Sequence, residues 1–269
     1  MPAPTSKRLR NHAKVVQVAA WSYILLAFLY PVFTFSSYQV ADQGNIAASL
    51  QGLVEGAGAS HVWWLFFSLI PMLLVFGSIG FYSAVKPYAF KAAGLSLTFS
   101  VISAVGFLLG IGRWATLNWG FGEAFVTYQE NSDLLTQLYF WSNQFMGFWL
   151  GHVMAELFLF MAMGFMAYAM FHSKRFPRWL CLFAGLLFVL GTVSIFRDMN
   201  MAANAVHGFL QTLMLVPLFF ILLAIGLFKF KGKATEKPIG RYAKRKNKAS
   251  KNKKGFVGQF KKRKKSKKR

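Results

Sequence analysis

His152 and Glu156 stand four positions apart inside a long apolar run, so on a helix they share one face. An imidazole beside a carboxylate supports proton exchange, a hydrogen-bonded clasp between helices, or capture of a polar solute. If the apolar run enters the membrane near Phe145, Glu156 lies about 17 Å deep at ~1.5 Å of rise per residue. That is close to the middle of a hydrocarbon layer. A carboxylate at such depth is costly and usually faces protein or water, which makes it a site candidate by default. A plain His–Glu hydrogen bond that glues two helices explains the same spacing.

Arg197, Asn200, Asn204, His207 and Gln211 follow one another in steps of 3, 4, 3 and 4. This rhythm keeps all five on one stripe of a helix that starts near Asp198. The stripe either lines a water-filled vestibule or is the solvated face of a helix end. Together the two groups predict one pocket. Its walls are His152, Glu156, Asn204 and His207, with Arg113 and Arg197 at its mouth and His61 at similar depth. Arginines at the mouth favour a polar or anionic ligand. No catalytic residue is assigned. The spacings H-x-x-H, H-E-x-x-H and C-x-x-C-H are missing, as are nucleotide-binding loops and nucleophile elbows, so no metal or other cofactor is expected.

Composition determines what must position these groups. Hydrophobic residues make up 55% of the 269, with 30 phenylalanines, which argues against a soluble domain. Six runs are long and apolar enough to cross a ~30 Å hydrocarbon core: 15–35, 62–84, 92–111, 145–169, 179–196 and 209–228. Backbone groups in lipid must pair internally, so these runs are helices. The expected fold is all-α, a polytopic membrane protein with a six-helix transmembrane bundle over 15–228. A basic cytoplasmic N-terminus covers 1–14, and a disordered polybasic tail covers 229–269. The first run is long for a signal peptide and lacks a small-x-small cleavage site after it, so it is expected to stay as an uncleaved helix.

Charge gives the direction. Of 31 Lys and Arg residues, 20 lie in the tail and 29 fall in alternate connections on one side; only Arg113 and Arg197 fall on the other. The positive-inside rule then puts both termini in the cytoplasm, with the chain in the inner membrane. Trp63, Trp64, Trp114, Trp119, Tyr128, Tyr139 and Trp141 form an expected aromatic belt at the outer ends. The residues 131–143 suggest a short surface helix that continues into the fourth span.

Gly106-x-x-x-Gly110 in the third span and Gly147-x-x-x-Gly151 in the fourth predict close packing of these two helices. Pro31, Pro71 and Pro217 sit inside spans and predict kinks. The tail combines 20 basic residues with one acid, Glu236. It would associate with anionic membrane lipids, or recruit RNA or a protein partner. Cys181 is the single cysteine, so no disulfide can form within one chain.

Three stretches carry a family resemblance: Ala13-Lys14-Val15 through Tyr23-Ile24-Leu25-Leu26, the turn Tyr82-Ser83-Ala84-Val85-Lys86-Pro87, and Phe176-Pro177-Arg178-Trp179-Leu180. With them, residues 13–229 resemble a bacterial family of multi-pass membrane proteins, domain-of-unknown-function family 4386. The resemblance implies a helical bundle of this size and brings no activity with it. The leading functional expectation is a bundle that binds a small polar or anionic solute in an outward-facing pocket, as a transporter or sensor. The alternative is a membrane assembly or scaffold factor whose tail binds anionic lipid or RNA. An intramembrane enzyme using His152 and Glu156 as acid and base is the third class, and the chain lacks paired motifs for it.

Overall fold

The computed structural model describes residues 6–38, 45–55 and 57–231. Asp42 in the expected first outer loop, residues 1–5 of the basic N-terminus and the expected tail from residue 232 onward lie outside the described residues. Ten α-helices follow one another, with no strand among the described residues. They are α1 (Ser6–Tyr38), α2 (Ile46–Glu55), α3 (Ala57–Leu69), α4 (Met72–Ala115), α5 (Leu117–Thr127), α6 (Ser132–Ser142), α7 (Ala155–Ser173), α8 (Arg178–Ser194), α9 (Met201–Thr212) and α10 (Leu215–Lys231). A π-helical stretch, Asn143–Met154, joins α6 to α7. α10 runs through Lys231, so the first three residues of the expected tail are helical.

Three helical units are long and apolar enough to cross a membrane: Asn11–Pro31, His61–Thr127 and Gln129–Ser173. The pair Met201–Gln211 and Leu215–Lys229, bent by 47°, makes a fourth if it counts as one span. α8 is a shorter apolar helix of 17 residues. At ~1.5 Å per residue, a straight helix over the 67 residues of His61–Thr127 would be about 100 Å long, three times a hydrocarbon core. The unit breaks instead. Pro71 separates α3 from α4, and α4 itself kinks at Ala89, whose φ of −143° and ψ of 60° leave the helical region.

The kink follows from Pro87. Proline has no N–H, so the carbonyl four residues earlier, on Ser83, loses its helical donor. His12 of α1 supplies the missing bond: its Nε2 donates to Ser83 O at 3.0 Å. From the sequence, Pro87 falls in a connection and kinks are expected at Pro31, Pro71 and Pro217. Pro31 stays inside α1, and Pro217 falls in the first turn of α10, where a missing N–H costs little. The bend of that unit lies earlier, at Met214, whose φ is +49°.

Side-chain contacts give the packing order. The two halves of α4, 72–88 and 90–115, pack on different neighbours. The first lies antiparallel to α1: Gly80 rests on Ala19 and the backbone of Val15, and Tyr23 reaches Ser78 Oγ at 3.2 Å. The second lies antiparallel to α7 and the π-helical stretch. Gly110 and Gly151 approach so closely that a Cβ on either would overlap the other's backbone, and Gly106 meets Ala155. Ser103 Oγ donates to Ala155 O at 2.8 Å across the same seam. The glycine pairs do pack two helices together, as their spacing predicts. α7 continues to α8 through Gly164 on Phe188 and Gly191 on Phe160, and α10 returns to α1 through Tyr23 stacked on Phe220. Every pair that these contacts define is antiparallel. One core cluster runs through α1, α4, α7, α8 and α10.

Candidate functional site

Arg197 is the centre of the polar site. It lies in the turn between α8 and α9, and it is buried, as is Glu156 in the first turn of α7. Its Nη1 donates to Glu156 Oε2 at 2.9 Å and to His207 Nδ1 at 2.9 Å. Its Nη2 donates to His152 Nδ1. One guanidinium thus spends three N–H groups on a carboxylate and two imidazoles from three different elements.

A guanidinium has donors only, so the imidazole nitrogens that face it act as acceptors in these contacts. His152 Nδ1 also lies 3.2 Å from Glu156 Oε1. His152, Glu156 and Arg197 thus form one mutually contacting cluster, in which the charges of Arg197 and Glu156 cancel. Burial makes the cancellation necessary, because an uncompensated ion in this environment costs several kcal/mol.

Local structure explains how these groups meet. The π-helical stretch carries Gly147 and Gly151 against α4 and His152 toward the turn at Arg197; such wide windings recur at functional sites. α9 begins at Met201, because the Asn200 side chain accepts from Ala202 N at 2.8 Å and caps the helix. This corrects the expected helix start near Asp198 and the five-residue stripe. Arg197 and Asn200 precede the helix, and only Asn204, His207 and Gln211 ride on it.

A pocket of about 30 Å³ adjoins the cluster, lined by Tyr30, Glu156, Ser194, His207, Gln211 and Met214 among others. That is room for one or two waters. Tyr30 and Ser194 were not singled out from the sequence. Tyr30 sits one residue before Pro31 inside the first apolar run, and a hydroxyl next to a proline was the available signal. The pocket sits at the break between α9 and α10.

The predicted site does not form as one group. His152, Glu156, His207 and Arg197 come together, with Arg197 at the centre and not at a mouth. Asn204 is exposed on α9. Arg113 is buried in a separate cluster: its Nε donates to Asn143 Oδ1 at 2.8 Å and its Nη1 to Gly110 O. Asn118 Nδ2 donates to the same Asn143 oxygen at 3.1 Å, and the guanidinium lies flat against Gly147. His61 packs edge-on to Trp119. The aromatic belt is partly turned inward as well: Trp63 and Trp141 are exposed, whereas Trp114 stacks on Trp64 and Tyr139 is buried. Among the described residues no group of three or more His, Cys, Asp or Glu could hold a metal ion.

A family model described as "Domain of unknown function (DUF4386)" matches residues 5–230. No curated protein and no solved structure matches the chain.

Proposed function

The chain belongs to the DUF4386 family, and from that premise we propose that it is a six-span membrane protein that binds a small polar or anionic solute at Arg197. The spans are α1, the two halves of α4, the π-helical stretch with α7, α8, and the bent pair α9–α10. Supporting this count, α4 breaks at Ala89 into two segments with different neighbours, and the segments pack antiparallel to the neighbours they touch. The segregation of basic residues supports an inner-membrane location with both termini in the cytoplasm. By this division 1–14 is a basic lead, 15–228 the membrane domain and 229–269 a basic tail that meets anionic lipid, RNA or a protein partner.

One observation carries the solute reading. A buried guanidinium is held by exchangeable side-chain partners beside a broken helix. Interrupted helices supply the moving part of many membrane binding sites. A solute carboxylate or phosphate would take the place of Glu156 or an imidazole on Arg197. The small pocket enlarges for it through movement at Met214. Transport and sensing share this binding step.

The test uses the purified full chain in neutral detergent. Its melting temperature is followed during titration with acetate and with inorganic phosphate, against chloride at equal ionic strength. The expected result is a saturable rise with at least one probe, lost in Arg197→Gln and partly kept in Arg197→Lys. Equal responses to all three anions, or an unchanged response in Arg197→Gln, would overturn the reading.

A further inference from the structure

A larger cavity opens at the opposite end of the bundle, between the start of α8 and the end of α10. It holds about 280 Å³, against about 30 Å³ for the pocket beside Arg197. Its α10 wall is a single stripe of Leu222, Ile225, Gly226 and Lys229. Residues at these spacings share one helix face, so the wall runs from apolar to cationic toward the helix end. Gly226 is required by close approach, since a Cβ there would sit 2.9 Å from the Phe176 ring that forms the floor.

The cationic end is built from more than Lys229. α7 stops at Ser173, and Lys174 takes a left-handed φ of 55°, rare for a residue with a side chain. This turn brings Arg175 to the cavity rim, with its guanidinium over the Tyr88 ring at 5.9 Å. Pro177 then starts α8 with no side-chain cap, leaving first-turn N–H groups at a positive helix end. Trp179 follows, half in solvent, as an interfacial anchor. Among the described residues no acidic side chain lines the cavity, so a choline or ethanolamine cation would meet no counter-charge there, only the rings of Phe176 and Trp179.

An apolar trough that ends in two cations and an open helix N-terminus matches a ligand with a phosphate at one end and an alkyl chain at the other. The geometry points to a binding site for one anionic phospholipid, its phosphodiester at Arg175, Lys229 and the start of α8, and an acyl chain along Leu222 and Ile225. This inference rests on the membrane reading above and adds a specific lipid to it. The site stands apart from the expected attraction of the tail for anionic leaflets, because it needs the cavity as well as the charge.

The experiment compares dioleoyl phosphatidylglycerol with dioleoyl phosphatidylcholine, titrated into the full chain in neutral detergent at 300 mM salt, which weakens the basic tail's contribution. Melting temperature and lipid retained in native mass spectrometry are read together. Phosphatidylglycerol should give a saturable rise and one retained lipid; phosphatidylcholine and glycerol 3-phosphate should give neither. The double variant Arg175→Gln/Lys229→Gln should shift the phosphatidylglycerol midpoint by about tenfold or more. Ile225→Trp, at a half-exposed position, should fill the trough and abolish the retained lipid with every charge and the tail in place. Equal effects of the two lipids, reproduction of the rise by glycerol 3-phosphate, or wild-type behaviour of both variants would overturn the site. A chain that stays monodisperse after detergent removal would overturn the membrane reading itself.

Discussion

Arg197 Nη1 reaches Glu156 Oε2 at 2.9 Å across 41 positions of chain, and both side chains are buried. The pair ties the turn after α8 to the first turn of α7. It also explains why two histidines gather there, since the guanidinium still has N–H groups to place.

Removing one partner leaves the other buried and uncompensated. Arg197→Gln should destabilise the chain by roughly 3–5 kcal/mol, and Glu156→Gln by a similar amount. The double variant should lose less than the sum, because no lone ion remains. Unfolding of the detergent-solubilised variants measures the coupling. Strict additivity would mean that the pair contributes nothing as a pair.

His12 and Pro87 should also be coupled, although they never touch through their functional atoms. His12→Ala leaves Ser83 O without a donor and should cost about 1–3 kcal/mol. Pro87→Ala restores a backbone N–H that can reach the same carbonyl. In that background His12→Ala should cost little. A cost that is the same in both backgrounds would detach the histidine from the kink.

The glycines of α4 divide by what surrounds them. Gly110→Ala drives a methyl group into Gly151 and should cost about 1–3 kcal/mol. Gly94→Ala meets nothing within 4 Å and should be neutral or slightly stabilising. Comparable losses at both positions would mean that helix propensity, not the close seam, sets the outcome.

The proposed topology is read by cysteine labelling. Cys181 is buried and is the only native cysteine, so Cys181→Ala gives a clean background. Asp133→Cys and Lys86→Cys place thiols at exposed positions on opposite predicted sides. A membrane-impermeant maleimide should label position 133 in intact cells and position 86 only after lysis. The reverse order would invert the orientation.

The sequence was informative where the physics is local. The shared face of His152 and Glu156 and the two Gly-x-x-x-Gly pairs follow from helical periodicity alone, and the structure uses both; the apolar runs return as three helical units long enough to cross a membrane, or four with the bent pair. The stripe expected from Arg197 to Gln211 breaks for a local reason too: the Asn200 side chain caps a helix, so the residues before it leave the periodic pattern. Arg113 was assigned to the same site because it shares a depth with Arg197. Depth fixes one coordinate only, and Asn118 and Asn143 hold it in a cluster of its own.

By itself the sequence determined that the chain is helical, apolar and charge-segregated, because each of those is a sum over near neighbours or over composition. Tertiary structure decided which polar groups meet. His12 finds Ser83 71 positions away and Arg197 finds Glu156 41 positions away, since a buried carbonyl or charge must be satisfied by whatever donor the fold brings within reach. The two arginines outside the expected basic connections were visible from the start. Only packing showed that one balances a carboxylate between two imidazoles and the other rests among amides.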